Sequence, residues 1–131
     1  MKSAPKIGTT GMTTFVVEAK HCIEFATDGM PAVLSTPNLI GILERTARQA
    51  IAAFLAPDER SVGVELDLRH LAPAPLGAKV TATARVIGTT GRFVDFQLEA
   101  RDAQELILRG VHKRAVVDVT SFTKRLKSKV S

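Results

Sequence analysis

The sequence of 131 residues contains no tryptophan and no tyrosine, and its aromatic residues are six phenylalanines. Because proteins that bind single-stranded nucleic acid stack the bases on exposed aromatic side chains, this shortage argues against such a surface. The net charge of +5 does not indicate one either, since four basic residues lie in the last eight positions and the remainder is close to neutral. We therefore expect no nucleic-acid partner.

Cysteine is nearly absent as well, since Cys22 is the only one. A single cysteine can form neither an intrachain disulfide nor a cysteine metal site, which is typical of a reducing compartment. No apolar run approaches the length of a membrane span, and the N-terminal residues lack the apolar stretch of a secretory signal. These absences predict a cytoplasmic protein with no membrane partner.

The sequence does contain one strong helical pattern, "STPNLIGILERTARQAIAAFL", at residues 35–55. Its apolar residues recur at helical spacing over about five turns. Pro37 suits the first helical position, and Thr36 is the expected N-cap. The helix is expected to end before Pro57, which cannot continue the hydrogen-bond ladder.

Strand patterns account for most of the remaining sequence. Alternating or β-branched residues predict five strands, at residues 13–20, 61–71, 79–88, 93–100 and 105–119. The turns between the last four strands are mostly short, which favours antiparallel neighbours. The basic segment "KRLKSKVS" at residues 124–131 is expected to be a frayed tail.

These elements predict a single α+β domain covering residues 1–131. One long amphipathic helix needs one broad apolar surface, and an antiparallel sheet that curls around the helix provides it. A half-open sheet leaves strand edges exposed, which favours self-association. We therefore expect a homodimer or a tetramer.

Three segments then carry a family resemblance: "VLSTPNLIGILERTA", "SVGVELDLRHLAPAPLG" and "RGVHKRAVVDV". With them the sequence resembles the hot-dog thioesterases related to fluoroacetyl-CoA thioesterase. The resemblance implies a hot-dog fold, in which a curved antiparallel sheet wraps around one long central helix. It also implies hydrolysis of an acyl-CoA thioester to the free acid and CoA. No metal or redox cofactor is implied, because CoA is part of the substrate.

By the same resemblance, Thr36, Glu44 and His70 match the family's catalytic residues. Gly63 matches the glycine whose backbone N–H can hold the thioester carbonyl. Glu44 would then act as a general base or as a nucleophile. The residues alone leave other roles open: Thr36 as the N-cap, Glu44 paired with Arg48 at i+4, and His70 as a histidine at the edge of the core.

Two further groups of residues are candidates for the site. Lys113 and Arg114 are expected to contact CoA phosphates, the alternative being a solvated strand face. His112 shares strand parity with Leu108, so it faces the helix unless Gly110 forms a β-bulge. His112 is therefore a weaker candidate for the site.

The spacing of the matched residues raises a geometric problem. Eight residues of helix rise about 12 Å, so Thr36 and Glu44 of one helix cannot share a hydrogen bond. Either the helix begins later than Thr36, or the site is assembled from two chains across a dimer interface, and we expect the second. The segment before the helix, residues 18–33, holds one phenylalanine, Phe25, and is shorter than the phenylalanine-bearing lid of the family's specialist.

Two alternatives to a thioesterase remain open at this point. A hot-dog hydratase or dehydratase acting on acyl thioesters would also use a histidine and a carboxylate. A non-catalytic protein that binds acyl-CoA is the second alternative.

Overall fold

One long helix and five strands form most of the protein in a computed structural model, which describes residues 1–130. The elements in chain order are β1 (Thr10–Val16), α1 (Thr36–Ile51), β2 (Glu59–His70), β3 (Lys79–Thr90), β4 (Phe93–Arg101), β5 (Leu106–Asp118) and α2 (Val119–Val130). Short 3-10 turns lie at Ala19–His21, Ala26–Asp28 and Ala52–Phe54. The predicted order of one strand, one long helix and four strands is therefore confirmed.

The five strands form one antiparallel sheet in the order β1-β3-β4-β5-β2. The sheet curves around α1, which packs mainly against β3 and β1. Strands β1 and β2 are the two edges of the sheet. Both candidate residues of the first strand after the helix, Gly63 and His70, therefore lie on an edge strand.

The core lies between α1 and the inner face of the sheet. On α1 the fully buried residues recur one turn apart, at Leu39, Leu43, Ala47 and Ile51. Facing them, β3 contributes the alternating set Val80, Ala82, Ala84 and Val86, and β4 contributes Val94, Phe96, Leu98 and Ala100, all fully buried. The two alanines of β3 are small, which lets the helix approach the sheet closely.

The helix begins one residue earlier than the sequence indicates. Ser35, not Thr36, is the N-cap: its backbone is extended, and its Oγ accepts a hydrogen bond of 3.3 Å from the N–H of Asn38. The two neighbouring hydroxyls were equally eligible as caps. Because Ser35 takes this role, the hydroxyl of Thr36 is available for another partner.

Gly110 forms no β-bulge, since β5 pairs with β2 and β4 without a register shift at that residue. A Cβ on Gly110 would collide with the backbone oxygen of Asp67, so the glycine allows the close approach of two strands. The register shift of β2 lies instead between Gly63 and Glu65.

The basic C-terminal segment is not frayed over the part that the structure describes. Helix α2 continues to Val130, and Asp118 caps it by accepting a 2.9 Å hydrogen bond from the N–H of Ser121. Ser131, the last residue of the predicted tail, lies outside the described residues. Within residues 1–130, neither helix is long and apolar enough to cross a membrane.

Candidate active site

Two of the predicted site residues meet where α1 begins and β2 ends. The Oγ1 of Thr36 lies 2.8 Å from the Nδ1 of His70. The other ring nitrogen of His70, Nε2, is buried and has no hydrogen-bond partner among the described residues. The His70 ring therefore faces the start of α1.

The other two predicted residues meet two turns further along α1. The Oε2 of Glu44 occupies the space above Gly63, only 2.5 Å from the point where a side chain at Gly63 would place its Cβ. Only glycine leaves room for the carboxylate at this position. The Glu44 side chain is 37% exposed and borders a cavity of about 240 Å³ that is also lined by Gly63, Leu66 and His112.

A β-bulge shapes the strand at this point. Gly63 is paired with Arg114 and Glu65 with Lys113, so Val64 has no Cα partner on β5. Gly63 and His70 are an odd number of positions apart and would face opposite sides of a regular strand. The extra residue turns both toward α1, and bulges commonly re-aim residues in this way beside active sites.

Arg114 on β5 contacts the Glu44 carboxylate from the side of the sheet. Its guanidinium is buried, and it donates hydrogen bonds from Nε to the Ser61 Oγ at 2.9 Å and from Nη2 to the Ser61 backbone oxygen at 2.8 Å. Its Nη1 lies 3.5 Å from the Oε2 of Glu44. The alternative ion pair of Glu44 with Arg48 is not among those formed within residues 1–130.

Burial lowers the pKa of the Arg114 guanidinium, while the nearby charge of Glu44 raises it. This buried position contradicts the predicted contact of Arg114 with a CoA phosphate, because the guanidinium is enclosed by protein groups.

Lys113 lies on the opposite face of β5, near Glu65 at 3.7 Å and Asp95 at 3.9 Å. Its contact with CoA stays a prediction.

His112 completes the group around Glu44. Its Nδ1 lies 2.9 Å from the backbone oxygen of Glu65, its Nε2 lies 3.2 Å from Nη1 of Arg114, and its ring stacks on Phe96. Burial lowers the pKa of His112, and the Arg114 charge adds to this, while the hydrogen bond to Glu65 opposes it. The inward parity of His112 and Arg114 on β5 was the available signal for this cluster.

One chain thus contains two half-sites. The Thr36–His70 pair and the Glu44–Gly63 pair lie on one continuous helix, separated by a rise of about 12 Å. A cavity of about 900 Å³ opens beside Thr36 and is lined by Cys22, Phe25 and other residues of the segment before α1. Within residues 1–130, no cluster of three or more His, Cys, Asp and Glu side chains could hold a metal ion.

Comparison with known proteins identifies the family of this chain. A family model described as fluoroacetyl-CoA-specific thioesterase matches residues 17–120, a range that includes both half-sites. The chain belongs to this family. The chain is also 30% identical over 137 residues to the fluoroacetyl-CoA thioesterase of Streptantibioticus cattleyicolor, covering 98% of this chain and 97% of that relative.

Solved structures give the same fold. One structure of a fluoroacetyl-CoA thioesterase superposes with a TM-score of 0.88 at 27% identity, covering 98% of this chain and all of that one. A hot-dog-like protein from Thermanaerovibrio acidaminovorans gives a TM-score of 0.88 at 25% identity, covering 95% and 93% of the two chains. The predicted hot-dog fold and the predicted activity, acyl-CoA thioester hydrolysis, are confirmed. The roles of the individual residues stay predictions.

Proposed function

We propose that the protein hydrolyses an acyl-CoA thioester with Glu44 as the reacting carboxylate. The observation that carries this proposal is the position of that carboxylate, which Arg114 holds against Gly63 at the border of an open cavity. A carboxylate in this position is fixed in direction yet accessible to water and substrate. Positioned groups of this kind supply general-base or nucleophilic catalysis.

As a general base, Glu44 takes a proton from water while the water oxygen attacks the thioester carbonyl carbon. The carbonyl oxygen becomes negative, and the backbone N–H of Gly63 donates a hydrogen bond to it. The C–S bond then breaks, the CoA thiolate leaves, and His70, oriented by Thr36, assists the return of the proton to sulfur. As a nucleophile, Glu44 would instead attack the carbonyl carbon and displace the CoA thiolate to form an acyl anhydride, which water then hydrolyses to the free acid and the Glu44 carboxylate.

Release of free thiol from a panel of acyl-CoAs tests the activity, with Glu44→Gln as the control. Glutamine keeps the size of the side chain but removes the base, so we expect kcat to fall about 10²–10⁴-fold. A folded protein that releases no thiol from any member of the panel contradicts the proposal. Binding of acyl-CoA by calorimetry without thiol release would favour the non-catalytic alternative, and an altered acyl chain would favour a hydratase or dehydratase.

A single turnover in ¹⁸O-labelled water tests whether Glu44 acts as the nucleophile. The anhydride route transfers one solvent oxygen either to the acid or to the Glu44 carboxylate, so label in Glu44 indicates the nucleophile. The general-base route leaves Glu44 unlabelled.

We also propose that two chains complete each active site, in a homodimer or a tetramer. Strand β2 is an edge strand, and two large apolar side chains on it, Val64 and Leu66, are 51% and 39% exposed. Unpaired edges of this kind are sites for strand pairing. Antiparallel pairing of two β2 strands about a two-fold axis between Gly63 and His70 brings Gly63 of one chain toward His70 of the partner subunit.

Mixed dimers of Glu44→Ala and Thr36→Ala chains test the shared site. If each site takes Glu44 from one chain and Thr36 from the other, every mixed dimer contains one intact site and one doubly defective site. Statistical exchange should then recover about a quarter of the wild-type activity. If both groups came from one chain, each site would carry a defect and no activity would return. Unmixed samples of each variant are the controls.

Further proposals concern the surroundings of the enzyme. We propose a cytoplasmic location, supported by the lone Cys22, with neither nucleic acid nor membrane as a partner. A thiolate is a good leaving group, so the reaction proposed here requires no metal or redox cofactor. The panel of acyl-CoAs includes fluoroacetyl-CoA, the compound named for the relatives, and identifies the acyl group of this enzyme.

A further inference from the structure

His112 contacts three parts of the site at once, although nothing in the proposed reaction uses it. The residue is only 2% exposed. One ring nitrogen faces the backbone oxygen of Glu65 in the β2 bulge, and the other faces the guanidinium of Arg114. Its Cε1 lies 3.1 Å from the point where a Cβ on Gly63 would be.

The partners of the two ring nitrogens determine the protonation of His112. A backbone carbonyl only accepts hydrogen bonds, so Nδ1 must carry a proton to bond the Glu65 oxygen at 2.9 Å. A guanidinium only donates, so Nε2 must be unprotonated to accept from Nη1 of Arg114 at 3.2 Å. Neutral imidazole with the proton on Nδ1 is the one state that satisfies both contacts.

The charged groups around His112 are consistent with this state. Arg114 on β5 is in direct contact, and on α1 Glu44 and Arg48 both act on Arg114, Glu44 also acting on His112 itself. Strand β2 presents the Glu65 backbone oxygen, and β4 presents the uncharged ring of Phe96. A proton on Nε2 would point at an N–H of Arg114 and bring two cations together.

Through these contacts His112 links the two halves of the Glu44–Gly63 pair. Its bond to Glu65 holds the strand immediately after the bulge that presents Gly63. Its bond from Arg114 fixes Nη1, the same nitrogen that lies 3.5 Å from the Glu44 carboxylate. The other two nitrogens of Arg114, Nε and Nη2, each donate to Ser61, and Nη1 is its contact with the catalytic carboxylate.

We propose that His112 is a positioning residue for thioester hydrolysis, a neutral imidazole that aligns the Gly63 bulge with the Arg114–Glu44 contact. This inference rests on the proposed function of Glu44. His112 does not touch the substrate; it acts through Arg114 and the backbone of Glu65. A displacement of about 1 Å at a reacting group can cost about 10²-fold in rate, so loss of this alignment should lower kcat.

His112→Asn tests the role with one contact retained. The asparagine amide can still donate to the Glu65 oxygen, but it leaves Nη1 of Arg114 without its acceptor. We expect kcat for thiol release to fall about 10–100-fold while KM changes less than about threefold. The matched control is His21→Asn, because the His21 ring accepts a local backbone hydrogen bond from Glu18 outside the Glu44 cluster; it should leave kcat unchanged.

A double-mutant cycle with Arg114→Lys asks whether His112 acts through Arg114. In that case the double variant should lose little more than the worse single variant. If the two losses multiply, or if folded His112→Asn keeps the wild-type kcat, the proposal is overturned. Thermal unfolding of each variant shows whether it is folded.

The protonation state of His112 can be measured without an activity assay of any variant. In protein labelled with ¹⁵N at histidine, the ring shifts distinguish the Nδ1–H form from the Nε2–H form, and His112→Asn assigns the signals by removing them. The Nδ1–H form is expected, and an Nε2–H or charged ring at pH 7.5 overturns the role of His112 alone. If wild-type protein releases no thiol from any acyl-CoA, the proposed function is wrong and the positioning role falls with it.

Discussion

Gly63→Ala should displace the Glu44 carboxylate while the protein remains folded. The added Cβ would lie 2.5 Å from the Oε2 of Glu44, whereas carbon and oxygen atoms in contact are normally at least about 3.3 Å apart. The carboxylate must therefore move by about 1 Å. The other atoms near the added Cβ are less crowded, since Cε1 of His112 would lie 3.1 Å from it and Nη1 of Arg114 3.6 Å from it.

The displaced group is the end of a flexible side chain that is 37% exposed, so it can swing toward solvent without displacing the backbone. That movement takes the carboxylate away from Arg114 and from the N–H of residue 63. We expect Gly63→Ala to remain folded, with a lower unfolding temperature because the buried Arg114 loses part of its charge compensation, and to lose about 10²-fold in kcat for thiol release.

A second glycine on α1 provides the control. A Cβ on Gly41 would meet only Nη1 of Arg45, at an ordinary contact distance of 3.7 Å. Gly41→Ala should therefore keep full activity and gain about 0.5–1 kcal/mol of stability, as alanine does in a helix interior. Adding Glu44→Asp to Gly63→Ala shortens the carboxylate and should restore part of the lost rate. Wild-type kcat in Gly63→Ala would refute the assignment of Glu44 and Gly63 to one reacting centre.

Three further predictions concern stability. Gly11→Ala should lower the free energy of unfolding by about 1–3 kcal/mol in urea titration, because the new Cβ would lie 2.7 Å from the backbone oxygen of Thr46, which cannot swing aside. The hydrogen bond from the Met1 ammonium lowers the pKa of Glu59, so the ionised Glu59 stabilises the fold above pH 4.5, and this stabilisation is lost as the pH falls through the lowered pKa. Glu59→Gln should therefore lower the melting temperature at pH 7 and much less at pH 3. Burial lowers the pKa of His112, so the unfolded chain protonates this histidine before the folded protein does, and the free energy of unfolding should fall as the pH drops below 6.5. The loss of stability between pH 7.5 and 5.5 should be smaller in His112→Asn. An equal loss would contradict the assignment of this pH dependence to His112.

Much of the fold could be predicted because the patterns that specify it are local. The alternation of Val80, Ala82, Ala84 and Val86 identifies the inner face of β3, and the structure buries all four. The helical spacing of α1 similarly identifies its buried face. Such patterns depend only on residue type and on the period of the element, so one sequence suffices to interpret them.

The errors arose where a tertiary contact decides between two local possibilities. Ser35 and Thr36 are both good caps, and the choice depends on His70, which takes the Thr36 hydroxyl at 2.8 Å. A glycine within a strand indicates either a β-bulge or the close approach of a neighbouring strand. Only the position of the neighbouring strand shows that Gly63 lies at a bulge and that Gly110 allows a close approach.

Arg114 was expected to contact a CoA phosphate or solvent, and its burial was missed because buried arginines are uncommon and its partners lie far away in the sequence. Its burial also answers the question of why a charged residue, Glu44, flanks the buried stripe of α1. A buried guanidinium needs compensation, and Ser61 supplies only neutral acceptors. Glu44 supplies the negative charge while keeping part of its carboxylate exposed to the cavity.

This ion pair has a consequence for the proposed reaction. When Glu44 accepts a proton from water, its negative charge disappears, and a negative charge develops at the same time on the carbonyl oxygen near Gly63. When Glu44 attacks directly, its charge moves to that oxygen in the same way. In both cases the cation of Arg114 faces one negative charge before and during the step, so little charge has to be newly solvated in a partly enclosed site. A neutral residue in place of Arg114 would leave both charges without this fixed partner, and the loss should therefore fall on kcat more than on KM.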